Sequence, residues 1–485
     1  MKLLRALFVV ALVLAFAAPV FAETQNVKVS GSIDAYWFYR RNFDLLDNND
    51  AGVLPAGATV AGGGIPSQTH TGTTHSRSEA DDYFMSITQV EVAADLTDNV
   101  STVVNLINQR DWNADTLSAS SGAVTSASAL TNEFDIELDL AYVQMKEIFY
   151  SPLTLTIGRQ DLLFGRGFLV GWNPQDPQGI IQADEFTQIQ SFDAIRATLD
   201  FNPWTLDFVY SKIREGNTNP EDDRDLYIAN VNYKFAEYNA VAEAYYVGDV
   251  DRNTIAATAG VGSTGYFNNE TDTIGGRVQF DPISQITLGG ELAYQFGDYR
   301  SAIASPTRDR SAWAADVFGE YRWEYPWKPS LGIEYIYMSG EEDLGSGSTQ
   351  EYGAWNAPFR GPTYGWIHEY IETYYATAQA DDQATSQNHE HICVYGSMKP
   401  LEDLQLNGSF YYLWTPERVH QTAGNLASPT EGDELGYEVN TSVVYSYTED
   451  VTFSFMANWF VPGDFYHSPN NATASELISE VKVTY

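Results

Sequence analysis

Residues 27–40 read VKVSGSIDAYWFYR, and this stretch decides the fold class. Its apolar side chains fall on alternate positions, namely Val27, Val29, Ile33, Ala35, Trp37 and Tyr39. Polar side chains fill positions between them, namely Lys28, Ser30, Ser32, Asp34 and Arg40. A period of two with one apolar face predicts a β-strand that is apolar on one side only.

The same alternation recurs along the rest of the chain. The further segments are 83–95, 99–110, 134–147, 152–160, 191–201, 204–213, 224–235, 237–249, 271–281, 284–298, 311–323, 329–340, 388–399, 402–415, 434–447, 449–461 and 475–485. With the first stretch they make eighteen. The sequence therefore predicts an all-β protein with an even number of strands.

The connections between these segments alternate between short and long. The short ones are 97–99, 148–151, 202–203, 236–237, 281–284, 324–329, 400–403 and 448–450. The long ones are 41–82, 111–133, 161–190, 214–223, 250–270, 299–310, 341–387, 416–433 and 462–474. In a soluble sandwich or propeller, nothing requires the short connections to lie at one end and the long connections at the other. We therefore expect a transmembrane antiparallel β-barrel with short periplasmic turns and long extracellular loops.

Aromatic residues on the apolar face form two bands. Those near the long-loop ends are Trp37, Tyr39, Tyr210, Tyr294, Trp313, Tyr337, Trp414 and Trp459. Those near the short-turn ends are Trp204, Phe235, Trp323, Tyr447 and Tyr485. A sandwich core would spread its aromatics along the strands, whereas two bands fit the two headgroup levels of a bilayer.

The amino terminus has the pattern of a secretory signal peptide. Residues 1–22 carry Lys2 and Arg5, then a short apolar run, then small residues at the cleavage position. The run is short for a spanning helix, and no later apolar run is long enough for one. We expect cleavage after residue 22, and a single outer-membrane barrel domain over residues 23–485.

Composition excludes several classes of protein. The 65 acidic and 26 basic side chains give a net charge of −39, which argues against nucleic acid as a partner. The 31 Tyr, 25 Phe and 11 Trp supply too much apolar surface for a disordered chain. The lone Cys393 excludes an internal disulfide and a cysteine-rich zinc site.

Two stretches resemble the alginate export family of outer-membrane porins. The first comprises AYV at 141–143, LTIGRQ at 155–160, FGRGF at 164–168 and SFDAIR at 191–196. The second runs from GYEV at 436–439 to WFVPGDF at 459–465. The final VKVTY at 481–485 resembles the carboxy-terminal assembly signal of outer-membrane proteins, with Tyr485 in place of the usual Phe. The resemblance implies an eighteen-stranded channel that passes a polyanionic polysaccharide through a basic lumen.

Strand parity predicts a different balance of charge inside the barrel. The inward bases are Lys28, Arg40, Arg196, Arg277, Arg322 and Lys482. The inward acids are Asp34, Glu137, Asp139, Asp200, Asp207, Glu243, Glu291, Asp316, Glu320, Glu334, Glu438 and Glu480. An acidic lumen repels a polyanion, so we expect cation preference. The alternative is that Arg159, Arg166, Arg196, Arg277 and Arg322 converge on one basic constriction.

The candidate pore-lining residues follow from parity and from the resemblance. They are Lys28, Asp34, Arg40, Arg159, Arg166, Arg196, Glu243, Arg277, Glu291, Arg322 and Glu334. For Arg159 and Arg196, ion pairs with lumen carboxylates are as good an interpretation as contact with a solute. None of these residues is predicted to be catalytic.

Loops 161–190 and 341–387 carry apolar side chains that would otherwise face water. They include Phe164, Trp172, Trp355, Phe359 and Trp366. We expect at least one of these loops to fold into the lumen and limit flow. Packing at the rim is the alternative for the first loop.

Metal binding is not expected. His389 and His391 share a strand face, but no third ligand accompanies them in the sequence. The acidic runs 47–50, 341–343 and 381–382 are interpreted as solvated loop charge rather than as Ca²⁺ sites.

These observations favour a porin of a Gram-negative outer membrane that passes polar solutes, including saccharides, without a cofactor. Its expected partners are the lipid bilayer, lipopolysaccharide, the outer-membrane assembly machinery and the solute, with no nucleic acid. A barrel enzyme and a structural or adhesion barrel acting through acidic surface loops remain the alternatives. No grouping of serine, histidine and acid at one rim points to the enzyme.

Overall fold

The computed structural model of the protein describes most of the chain. The described residues are 26–43, 45, 80–112, 136–150, 152–172, 183–215, 223–255, 265–300, 307–341, 351–361, 364–374, 388–417, 432–466 and 471–485. The predicted signal peptide at 1–22, and its boundary with residue 23, lie outside them.

Nineteen strands and one α-helix form the described structure. The first strands are β1 Asn26–Arg41, β2 Ala80–Thr97, β3 Val100–Asp111, β4 Glu137–Met145, β5 Leu153–Gln160, β6 Phe192–Asp200, β7 Trp204–Arg214, β8 Arg224–Lys234, β9 Val241–Ile255 and β10 Gly265–Ile283. The others are β11 Ile286–Tyr299, β12 Arg308–Arg322, β13 Ser330–Met338, β14 Glu351–Tyr352, β15 His389–Leu401, β16 Leu404–Trp414, β17 Glu434–Ser446, β18 Val451–Pro462 and β19 Ala474–Thr484. Helix α1 spans Trp366–Tyr374, and short 3₁₀ turns occur at Ile148–Tyr150 and Asp184–Phe186.

Eighteen of these strands close into an antiparallel barrel. Each pairs with its neighbours in sequence, and β13 pairs directly with β15. The barrel closes where β1 pairs with β19, from Ser32 opposite Thr484 to Arg41 opposite Ser475. The two-residue strand β14 is an addition, parallel to the start of β12. The predicted fold class and strand number are confirmed.

The predicted alternation appears as alternating burial along the strands. In β1, Asp34 and Phe38 are buried on the inner face, whereas Ile33 is exposed on the outer face. The inner face is buried because two long loops pack inside the barrel on the side of the long connections, here called the loop side. The opposite end, with the short connections, is the turn side.

Two aromatic bands lie on the outer face, as predicted. Tyr294, Trp313 and Trp459 are exposed near the loop side, and Trp313 stacks on Tyr337 at 4.2 Å between ring centroids. Trp204, Phe235, Trp323, Tyr447 and Tyr485 are exposed near the turn side. Among the described residues, no helix is long and apolar enough to cross a membrane.

Strands β9 and β10 continue beyond their predicted ends. Their pairing extends from Val250 opposite Glu270 to Ile255 opposite Gly265, so the expected loop at 250–270 shortens to 256–264. This extension is rich in polar residues, with Asp251, Arg252 and Asn253 on β9. Hydrophobic alternation cannot reveal such an extension, because hydrogen-bonded pairing continues where no apolar face is required.

Candidate functional site

Both long inward loops meet inside the barrel. Residues 161–172, after β5, bury Leu162, Phe168 and Val170 against the inner faces of β6–β13. The N–H of Gly171 donates to the carbonyl of Phe359 over 2.7 Å, and the N–H of Gly361 donates to that of Gly167 over 2.9 Å. The expectation that at least one loop folds into the lumen is therefore confirmed for both.

The first loop has its tip at Gly165 and Arg166. Gly165 has φ of +59°, in the left-handed region that favours glycine. Its N–H donates to Oε1 of Glu243 over 3.2 Å. A Cβ at this position would lie 3.4 Å from both Arg277 and Glu291. The backbone of the tip therefore lies against the charged inner wall.

Arg166 fastens this tip to the adjoining strands β12 and β13 of the same wall. Its guanidinium donates to Asp316 over 2.7 Å and to Glu334 over 2.6 Å. It also lies 4.0 Å from the ring centroid of Phe318, which is a cation–π distance. The side chain remains 32% exposed, so water and solutes can reach it.

The wall around the tip carries more acid than base. Glu243 pairs with Arg277 at 3.4 Å, and Glu291 accepts a hydrogen bond from the Tyr245 hydroxyl over 2.7 Å. With Asp316 and Glu334, this gives four carboxylates around two guanidiniums. The structure thus brings together Arg166, Glu243, Arg277, Glu291 and Glu334 from the predicted set.

A cavity of about 460 Å³ lies on the turn side of this tip. It is lined by Arg166, Asn239, Gln279, Asp281, Thr287, Phe318, Glu320, Arg322 and Tyr395. Arg322 contacts Glu320 at 3.2 Å and donates to the Thr287 hydroxyl over 2.7 Å. The predicted residue Arg322 therefore lies in the lumen, but apart from the tip cluster.

Arg196 lies on the inner face of β6 with a carboxylate partner. It pairs with Asp207 at 2.8 Å, and its guanidinium lies 5.3 Å from the ring centroid of Phe164. Thr198 also donates to that carboxylate. Arg196 therefore forms an ion pair with a lumen carboxylate, which is one of its two interpretations.

The predicted residues of β1 occupy a separate part of the lumen. Lys28 is exposed near the turn side, and Asp34 is buried and pairs with Lys482 at 3.2 Å. Arg40 is buried between Glu185 and Glu476, with the latter at 2.8 Å. Neither Asp34 nor Arg40 shares the tip cluster.

Arg159, which entered the pore-lining set through the family resemblance and not through parity, does not line the pore. The register places it opposite Asp193, which is 66% exposed between the inward-facing Phe192 and Ala194. Arg159 therefore lies on the outer face near the loop-side rim, where it donates to the Leu138 carbonyl over 2.8 Å. A basic constriction that includes Arg159 does not form.

Helix α1 is a feature that the sequence reasoning did not place. Its Ile367 and Ile371 pack against Leu413 and Phe460 on the inner wall. Buried Glu438 accepts the N–H groups of Ile367 and His368 over 3.1 and 2.7 Å, which stabilises the helix amino terminus. The apolar spacing of Trp366, Ile367, Tyr370 and Ile371 was the available signal.

The candidate metal positions take structural roles. The rings of His389 and His391 contact each other over 2.8 Å, and His368 lies beside them. Burial lowers the pKa of His368 to about 3, so its ring is neutral. Among the described residues, no group of three or more potential ligands is placed to hold a metal. Glu341 pairs with Arg308 and is buried, which corrects its assignment as solvated acid; residues 47–50, 342–343 and 381–382 lie outside the described part.

A closed eighteen-stranded barrel with two aromatic bands and inward loops over a charged lumen defines an outer-membrane channel for polar solutes. Comparison of the sequence with known families gives the family. The alginate export family matches residues 67–479, so the chain belongs to the alginate export family of the Gram-negative outer membrane. No curated protein sequence matches the chain significantly.

Solved porins share the fold. OccK2 (OpdF) of Pseudomonas aeruginosa aligns with a TM-score of 0.52 and 9% identity over 95% of this chain and 98% of its own. A BenF-like porin from Pseudomonas fluorescens Pf-5 gives 0.51 and 10% over 95% and 100%. A structure of OccK2 in complex with glucuronate gives 0.50 and 10% over 95% and 99%.

Proposed function

We propose that the channel carries small polar solutes, including mono- and oligosaccharides, by diffusion past the tip of the β5–β6 loop. The observation that carries this proposal is the tip itself, held across the lumen by Arg166, Asp316 and Glu334. A loop fixed on opposite walls narrows a barrel of this width, and narrowing favours small solutes over a folded or branched polymer.

The chemistry at the tip supports polar solutes. Carboxylates, guanidiniums and the Tyr245 hydroxyl offer both donors and acceptors to a solute that has shed part of its water. The fold relative OccK2 was crystallised with glucuronate, a small polar sugar acid. Both facts favour a solute of that size over a long polysaccharide.

We infer that the tip favours cations. Four carboxylates face two guanidiniums there, and selectivity is set at the narrowest ring of charge. The competing basic constriction finds less support, because Arg166, Arg196, Arg277 and Arg322 each have a carboxylate partner. An anionic solute would have to displace such a partner.

The remaining assignments follow from membrane placement. Catalysis is not part of the proposal, because fold and family both suggest a channel. Lipopolysaccharide is the expected partner of the loop-side outer face, and the assembly machinery that of the terminal strand β19. The predicted leader at 1–22 remains part of this proposal.

Swelling of proteoliposomes in isotonic neutral sugars tests the function. We expect swelling to decrease steadily from a pentose to a trisaccharide, because passage past the tip depends on solute size. Liposomes without protein and liposomes with heat-unfolded protein are the controls. Absence of swelling with every sugar, together with absence of ion conductance, would refute the channel.

A further inference from the structure

We propose that the turn-side cavity of about 460 Å³ is a binding site for a neutral sugar residue, which solutes occupy before or after passing the loop tip. This inference rests on the proposed function and names the class of solute that the site retains. The volume lies within the range of small-molecule sites, about 300–1,000 Å³. Asn239 and Asp281 lie close to the short connections, so the site is at the periplasmic mouth.

Two aromatic rings lie flat on the inner wall of this cavity. Phe318 is paired directly with Gly289, and Tyr395 is paired directly with Gly332. A Cβ on either glycine would come within 2.3 Å of the ring. Each ring therefore covers a glycine and lies along the wall. The Arg166 guanidinium lies over the other face of Phe318, so the ring that can take the apolar C–H face of a sugar is Tyr395.

Polar groups beside the rings are held in place by one another. Asp281 accepts hydrogen bonds from Asn239 over 3.0 Å and from Thr287 over 2.7 Å. Gln279 accepts one from Arg277 over 2.6 Å, which orients its amide. Oriented amide, carboxylate and hydroxyl groups can exchange hydrogen bonds with sugar hydroxyls without further ordering.

The charges that line the cavity balance. Arg166 and Arg322 are offset by Asp281 and Glu320, and Arg322 already contacts Glu320. Arg166 is likewise engaged by two carboxylates outside the lining. The carboxylate of a uronate would therefore find both cations of this cavity already paired with acids. A neutral sugar does not need a cation. These charges select a neutral sugar over an acidic one.

Current blockade in planar bilayers tests the site. Maltotriose should interrupt the current through single channels of the full-length protein in a saturable manner, and trigalacturonate should do so at least threefold less tightly. Tyr395→Ala should weaken the maltotriose constant about tenfold because the stacking surface is lost, whereas Tyr395→Phe should retain it. Phe410→Ala removes a lipid-facing ring of β16 and should leave the constant unchanged.

The outcomes separate the site from the channel. Current without sugar tests the channel alone, so conduction without any maltotriose blockade would overturn the site and leave the proposed function intact. An unchanged constant in Tyr395→Ala, or tighter blockade by trigalacturonate than by maltotriose, would also overturn it. If the protein does not conduct, calorimetric titration of the detergent-solubilised protein with maltotriose measures binding at the site, with the same variants.

Discussion

Arg166 and Arg40 make the same kind of contact in opposite halves of the lumen, with different consequences. Each bridges two carboxylates, Asp316 and Glu334 for Arg166, Glu185 and Glu476 for Arg40. The side chain of Arg166 is 32% exposed, and that of Arg40 is 7% exposed. One ion pair borders an open cavity, and the other lies in packed protein.

The surroundings explain the difference. The Arg40 guanidinium lies within 4.7 to 5.8 Å of four ring centroids, those of Phe38, Phe43, Tyr83 and Tyr370. Arg166 has one such ring, Phe318, and beyond it lies the cavity. The same ion-pair chemistry is therefore enclosed by aromatic rings on the β1 side and open to a cavity on the β12 side. Inward parity alone therefore does not identify a pore-lining residue.

The largest effect should come from Arg40→Ala. It leaves Glu185 and Glu476 without their buried cation, which should lower the free energy of unfolding by about 3–5 kcal/mol. Urea unfolding of the protein in lipid vesicles measures this. Arg166→Ala is the matched control and should cost less, because its guanidinium is 32% exposed and water can enter the space it leaves beside the buried Asp316 and Glu334. Equal losses in both variants would remove the distinction between the two halves.

Deleting either inward loop should raise the conductance, because both loops contribute to the packing around the Arg166 tip. Removing 164–188 releases the tip, and removing 345–385 releases the segment that packs on it. Each deletion should raise single-channel conductance several-fold, because the lumen widens. Unchanged conductance in both would show that the current does not pass these loops.

Ion selectivity should follow the charge at the tip. Under a KCl gradient the reversal potential should indicate preference for K⁺, and the preference should fade at high salt because charges are screened. Arg166→Ala should strengthen it about twofold, whereas Arg40→Ala, if folded, should not. An anion-selective wild type would contradict the assignment, and loss of that sign in Arg196→Ala would place a basic constriction at Arg196.

The smallest effect concerns helix α1 on the Arg40 side. Glu438→Gln keeps the shape but removes the charge that faces the helix amino terminus, which should cost about 0.5–1 kcal/mol. Urea unfolding in vesicles measures the loss, and conductance should remain unchanged. A marked change in conductance would place α1 in the solute path.

The barrel could be predicted because membrane strands obey a simple rule. Lipid on one side and a polar lumen on the other impose alternation, which identified strand segments such as 27–40 and 475–485. Prediction failed for strands outside the region where lipid and lumen impose this alternation. The polar extension of β9 and β10 and the two-residue strand β14 depend on backbone pairing that carries no hydrophobic signature.

The site was predicted less completely than the fold. Parity identified Glu243, Arg277, Glu291 and Glu334, and the apolar content of the loops predicted their inward course. Parity could not show that Arg40 is sealed by Phe43 and Tyr370, since these come from distant parts of the chain. Arg159 was included on the family resemblance, whereas the alternation of Thr154 and Thr156 with apolar residues already put it on the outer face.

The seam between β1 and β19 determines when the barrel can be completed. Arg40 and Glu476 are 436 residues apart, and Asp34 and Lys482 are 448 residues apart, so these contacts join the two ends of the folded chain. Closing so long a loop carries a large entropic cost and makes non-local pairing slow. Until β19 arrives, β1 is an open edge with unpaired backbone groups, a state prone to pairing with other chains. Pairing of β19 with β1 is therefore a late step of folding. The inner loops must already lie inside the barrel when this pairing closes it.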